Sequence, residues 1–163
     1  MATAAGALEI LHDEGGWRVG LWRNLLFTGI ATSPSAESLR LVREGQGRLL
    51  DLPGMVGGLT LVTGLRLGPL DLSEAMRKEI GRMMSVPNLR GHSAIVIESD
   101  GFAGATVRAV LGAVILLAKP ESPQRLFESR REAARYLEKH APGGWSVEEL
   151  IDAAAAFTRD LGR

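Results

Sequence analysis

The 163-residue chain contains no cysteine, which removes disulfides, thiolate nucleophiles and cysteine-ligated zinc at once. Neither sign of charge is in excess: 19 Lys and Arg stand against 19 Asp and Glu, a formal net charge of zero. The chain therefore lacks the large positive field that would hold a phosphate backbone or an anionic membrane, and nucleic acid is not an expected partner. Long apolar runs are missing too. The longest, Ala109 to Ala118 behind Arg108, is about half of the ~20 residues needed to cross a bilayer. The opening Met-Ala-Thr-Ala-Ala-Gly-Ala has neither the basic segment nor the apolar core of a secretion signal. The expectation is a cytoplasmic protein with no membrane span.

Signatures of catalysis and cofactor binding are equally scarce. His12, His92 and His140 show no two-histidine metal spacing, and His140 near a helix end suits the negative pole of the helix dipole. His92 beside Ser93 offers a nucleophile and a base, but no Gly-x-Ser-x-Gly elbow or oxyanion motif accompanies them, so hydrolysis is the least favoured function. Gly101-Phe-Ala-Gly104 lacks the spacing of a dinucleotide or phosphate loop. The chain is expected to be no enzyme, with no cofactor and no metal.

What is present is a strand-to-helix junction. His92-Ser-Ala-Ile-Val-Ile-Glu98 is an apolar, β-branched run, and it passes through Ser99-Asp100-Gly101 into a long apolar helical pattern from about Phe102 to Leu117. Other elements arrange themselves around it. Trp17 to Trp22 and Leu25 to Thr32 read as a hairpin turned by Arg23-Asn24, where Asn tolerates positive φ, and Leu8 to Asp13 adds an earlier strand. Ser33-Pro34 opens a first helix that ends near Leu50, its inner stripe being Ala36, Leu39, Val42 and Leu49. Pro53-Gly54 and Gly57-Gly58 break the chain before a buried strand, Leu59 to Thr63. Asp71 with Glu74 caps a second helix that stops before Pro87, with Met76, Met83 and Met84 as core. Gln124 to Phe127 is the last strand. Ser129 with Glu132, and Ser146 with Glu149, cap two final helices, and Trp145 is placed to staple onto Leu150.

Strands alternating with helices imply an α/β fold: a mixed sheet opened by an antiparallel hairpin, followed by βαβαβα crossovers and an extra C-terminal helix. One domain of this length buries roughly 70% of the surface its unfolded chain exposes. Residues 1–16 form an N-terminal segment, 17–140 the main domain and 141–163 a helical extension.

This order of elements resembles the STAS (anti-sigma-factor antagonist) fold, in its SpoIIAA-like branch grouped with SEC14-type lipid-binding proteins. The likeness rests on the junction strand with its following helix and on Arg125-Leu-Phe-Glu-Ser-Arg-Arg-Glu-Ala-Ala-Arg-Tyr-Leu137, which looks like the family's final strand and helix. The resemblance implies a regulatory or scaffolding module that docks protein partners around Ser99, Asp100, Gly101 and Phe102. Where the family's phosphorylatable members carry Asp-Ser-Ser-Gly, this chain reads Glu98-Ser99-Asp100-Gly101, which leaves Ser99 and, one turn on, Thr106 as the residues able to accept phosphate. The resemblance also implies an alternative, the binding of an apolar small molecule or lipid.

Each candidate has a structural counterpart. Ser99 and Asp100 suit capping a helix, and the same unpaired N–H groups would attract an anion or a partner carboxylate. Gly104, Arg108 and Gly112 form a small-sided stripe that lets another backbone approach, either the sheet beneath or a twin subunit. The last helix repeats the choice, because its stripe through Leu150 and Phe157 must meet its own domain or a homodimer partner. Arg125, Arg130, Arg131 and Arg135 form either a docking patch or a solvated face paired along the helix with Glu128 and Glu132.

Overall fold

The computed structural model describes residues 6–32, 35–63, 74–84, 91–98, 101–118, 120 and 122–163. Its described residues form an α/β fold with one six-stranded sheet: β1 (Glu9–Glu14), β2 (Trp17–Trp22), β3 (Leu25–Ile30), β4 (Val56–Val62), β5 (Gly91–Ile97) and β6 (Gln124–Phe127). The strands lie side by side in chain order, antiparallel through β1, β2 and β3 and parallel from β3 to β6. Five helices accompany them: α1 (Ala36–Leu49), α2 (Glu74–Met84), α3 (Gly101–Ala118), α4 (Arg130–His140) and α5 (Val147–Thr158).

Unreversed strand order dictates the layering. Right-handed crossovers that all advance the same way leave their helices on one face of the sheet. So α1, α2 and α3 share a face: Leu39 and Val42 of α1 pack with Ile80 and Met83 of α2, and Val107 and Leu111 of α3 pack on Ile95 and Ile97. The opposite face is covered by α4 and α5, whose Leu137, Leu150 and Phe157 join Phe27, Leu59 and Val96 in the largest core cluster. The parallel strands are thus covered on both sides, which is why they read as nearly unbroken apolar runs.

Helix boundaries follow their capping chemistry. Ser129 and Ser146 each accept from the backbone N–H three residues on, Glu149 returns the bond at Ser146, and Trp145 and Leu150 are both buried in one cluster. At α1 the cap is Ser35 with Ser38 in a reciprocal box, and the expected Ser33-Pro34 start and the Asp71 cap lie outside the described residues. Two local expectations are corrected. The hairpin's positive φ falls on Arg23 (52°), not Asn24; Asn24 instead spends its amide on other elements. The Gly57-Gly58 break is strand interior, for β4 begins at Val56. A Cβ at Gly57 would stand 2.8 Å from Leu25 and 3.0 Å from Ala141, so glycine there serves close packing.

Candidate functional site

The shared register of the sheet places small and polar residues under the three crossover helices. Side chains alternate between faces along a strand, and the pairing aligns Leu26, Gly58, Ser93 and Gln124 in one row and Thr28, Thr60, Ile95 and Leu126 in the next. A covered parallel sheet ordinarily presents large aliphatic residues there. Here glycine, serine, threonine and glutamine leave volume unfilled. The result is a pocket of about 130 Å³ floored by Thr28, Gly58, Thr60 and Ser93 and walled by Trp17, Leu39, Val42, Gln46, Ile80, Met83 and Leu111. A smaller cleft of about 30 Å³ continues along Gln46, Gly58, Ser93 and Gln124 toward Val56, Gly91 and Ser122.

Gln46 stands on the pocket wall. It stands on the α1 stripe seven residues after Leu39 and four after Val42, a position facing the sheet. Its Oε1 is closed to water and accepts no hydrogen bond from any described residue. A buried acceptor without a donor is uncommon and costs stability. Among the described residues, none that lines the pocket is ionisable.

The second candidate, the start of α3, is described in part. Ser99 and Asp100 lie outside the described residues. Gly101 takes φ +76°, a left-handed conformation suited to glycine, and Phe102 beside it is 89% exposed. Thr106 is exposed and its Oγ1 donates to the Phe102 carbonyl at 2.9 Å. The outward stripe of α3 is Phe102, Ala105, Ala109, Ala113 and Leu116, with Leu116 78% exposed.

The residues expected to pair subunits are turned inward. Gly104 is buried, a Cβ at Gly112 would meet Leu126 of β6 at 3.7 Å, and Arg108 is half-buried with its guanidinium 3.7 Å from Glu128 and 3.5 Å from the Ile97 carbonyl. Phe157 is wholly buried in its own chain, edge-on to Phe27 with ring centroids 5.3 Å apart. That assignment is corrected: the small stripe of α3 serves its own sheet, and α5 completes the core. The arginines pair between elements and not along α4, Arg130 with Glu98 at 2.7 Å and Arg131 with Glu148 at 2.5 Å, and Arg131 stays exposed as on a solvated face. Arg125 lies over the rings of Phe127 and Tyr136.

His92 and Ser93 cannot act as a pair, because consecutive strand residues face opposite sides. Ser93 lines the pocket. His92 faces α4, where its Nδ1 lies 3.0 Å from the Tyr136 hydroxyl and its ring stacks on His140 at 4.7 Å. Burial first, and the neighbouring His140 second, hold the His92 imidazole below its ordinary pKa. Among the described residues no group of three His, Asp or Glu side chains could hold a metal ion, and no helix is long and apolar enough to cross a membrane.

Sequence reading missed Thr28, Gln46, Thr60 and Gln124. Their signals were present: a polar side chain where the α1 stripe continues past Val42, and threonines inside strands otherwise apolar. Only the register reveals that they meet. Comparison with protein-family models, with curated proteins and with solved structures finds no match.

Proposed function

We propose that the chain is a binding module that holds a small, mostly apolar molecule between its sheet and α1, α2 and α3. The observation that carries this reading is the pocket of about 130 Å³ itself, floored by Gly58, Thr60 and Ser93, walled mainly by apolar side chains and lined, among the described residues, by no ionisable group. Core density normally leaves few voids larger than a water molecule, and a concave, mainly apolar space with a few polar groups is the usual form of a ligand site. The α/β architecture with its opening hairpin agrees with the resemblance to STAS domains, and membership in that family, with its lipid-binding branch, forms part of the proposal. Native mass spectrometry of gently purified protein should show added mass that is lost on denaturation. Thr60→Leu, which fills the floor, should abolish it. Bare chain mass, together with unchanged methyl NMR shifts when toluene or phenol is added, would overturn the reading.

A second reading concerns docking, and the exposure of Phe102 and Leu116 favours it. We infer that the occupant of the outward face of α3 is a second copy of this chain. Ala109 is the midpoint between Phe102 and Leu116, which lie about 21 Å apart along the helix. A two-fold axis there would set each Phe102 beside the other copy's Leu116 across a smooth alanine surface, a self-complementary contact. Light scattering should give the dimer mass, and Phe102→Asp with Leu116→Asp the monomer. A monomeric native chain would remove the idea.

A further inference from the structure

Resting on the pocket reading above, we infer that the guest is a compact, uncharged, two-faced molecule: an apolar side against the helices and a neutral hydrogen-bonding group against the hydroxyls of Thr28, Thr60 and Ser93. The floor supplies the first observation. Among the described residues the side-chain atoms both closed to water and unpartnered are Arg18 Nε, Arg23 Nε and Gln46 Oε1. The hydroxyls of Thr28, Thr60 and Ser93 also have no hydrogen-bond partner among the described residues, so unlike Gln46 Oε1 they are open to an incoming molecule. Thr28 is only 6% exposed and sits on an inner strand, so the space its oxygen meets is the pocket. Thr28 and Thr60 pair directly across β3 and β4. Ser93 Oγ lies 2.9 Å from the point that a Cβ on Gly58 would take, so the bare backbone at 58 gives this oxygen its room.

The opposite wall is different in kind. Leu39, Val42, Ile80, Met83 and Leu111 present hydrocarbon from α1, α2 and α3, and a guest that fits both walls has one face of each sort. A hydroxyl donates and accepts, so an alcohol, a ketone or an amide would each find its complement on the floor. Charge is disfavoured. None of the described lining residues is ionisable, and a hydroxyl solvates an ion without neutralising it. Arg43 and Arg82, which share Glu79 between α1 and α2, do not line the pocket; their side chains are 42% and 63% exposed, so water screens them. Size follows from the volume of about 130 Å³, close to that of cavities of roughly 150 Å³ that take up benzene.

The test titrates the intact chain with five probes of one size: cyclohexanol, cyclohexanone, methylcyclohexane, cyclohexanecarboxylate and cyclohexylammonium. Trp17 lines the pocket, whereas Trp22 and Trp145 lie in the core on the opposite face, so methyl NMR shifts and Trp17 emission report occupancy, with Trp17→Phe as the control for the origin of the fluorescence change. The three neutral probes should bind and the two ions should not. Thr60→Val and Ser93→Ala should each weaken cyclohexanol and cyclohexanone about three- to tenfold, while methylcyclohexane binds at least as well as before, which also shows that the variant pockets are intact. Losses no larger for the polar probes than for methylcyclohexane, or an ion bound as tightly as cyclohexanol, overturn the inference. Failure of all five probes to enter would instead sink the pocket reading itself, so the two failures are distinguishable.

Discussion

Asn24 shows how much one side chain can organise when its turn is tight. Its amide nitrogen donates to the carbonyls of Met55 at 2.7 Å and Ala141 at 3.0 Å, and its Oδ1 accepts from Trp145 Nε1 at 2.9 Å. The β2–β3 turn is thereby tied to the start of β4 and to the link between α4 and α5. Asn24→Ala leaves those groups without a partner and should cost about 2–3 kcal/mol at ~1 kcal/mol per bond, read as a lower urea midpoint with unchanged slope. Gln46 is the opposite case. Gln46→Leu removes a buried acceptor to which no described residue donates and should raise the stability of the chain by about 1 kcal/mol, read as a higher urea midpoint. His92 supplies a pH dependence whose sign is fixed. The side chains facing it are Tyr136 and His140 of α4, with Arg125 of β6 over the Tyr136 ring. Its folded pKa is depressed, so the unfolded chain binds more protons near pH 6. Stability is complete above the ordinary histidine value of about 6.5 and falls as pH drops through it toward the folded value. Melting curves between pH 8 and pH 5 should show that slope in the native chain and a shallower one in His92→Gln.

At the level of elements, the docking of α5 rests on a ring meeting bare backbone. Phe157 lies over β2 and β3 where both carry glycine: a Cβ on Gly20 would come within 3.0 Å of the ring and one on Gly29 within 3.2 Å. Arg18 of β2 then donates to the carbonyls of Phe157 and Arg159 at 2.5 and 2.8 Å, satisfying the end of the helix from outside it. Phe157→Ala should cost about 3–5 kcal/mol, and far-UV dichroism during urea unfolding would show whether α5 is lost first or with the whole. Elements of this kind were readable because their signals are local. Capping serines, alternating apolar runs and the Gln124–Phe127 strand need no knowledge of neighbours. The face that each element covers was not readable in that way. Glycines at 57 and 58 look like a break until β4 is seen beside Ala141 and Ser93, and Phe157 looks like a spare apolar face until Gly20 and Gly29 are seen beneath it. Likewise Gln46, Thr60 and Ser93 lie far apart in the chain, and only a non-local register makes them one site.

For the whole molecule, zero net charge complicates any measurement of association, because a neutral protein near pH 7 self-associates without a specific interface. The proposed α3 contact is separable from that background by its physics. Colloidal association should fade as pH moves away from neutrality and the chain gains charge. A contact made by Phe102, Ala105, Ala109, Ala113 and Leu116 contains no titrating group, so its dimer mass should persist at pH 9. It should also survive a rise from roughly 0.05 to 0.5 M salt, across which the Debye length contracts severalfold and charge pairing is screened. Because Phe102 and Leu116 are exposed in the single chain, placing Asp at both should leave its melting temperature nearly unchanged while dissociating the dimer. A dimer that survives both substitutions must use another face, and α3 would then have no claim to the contact.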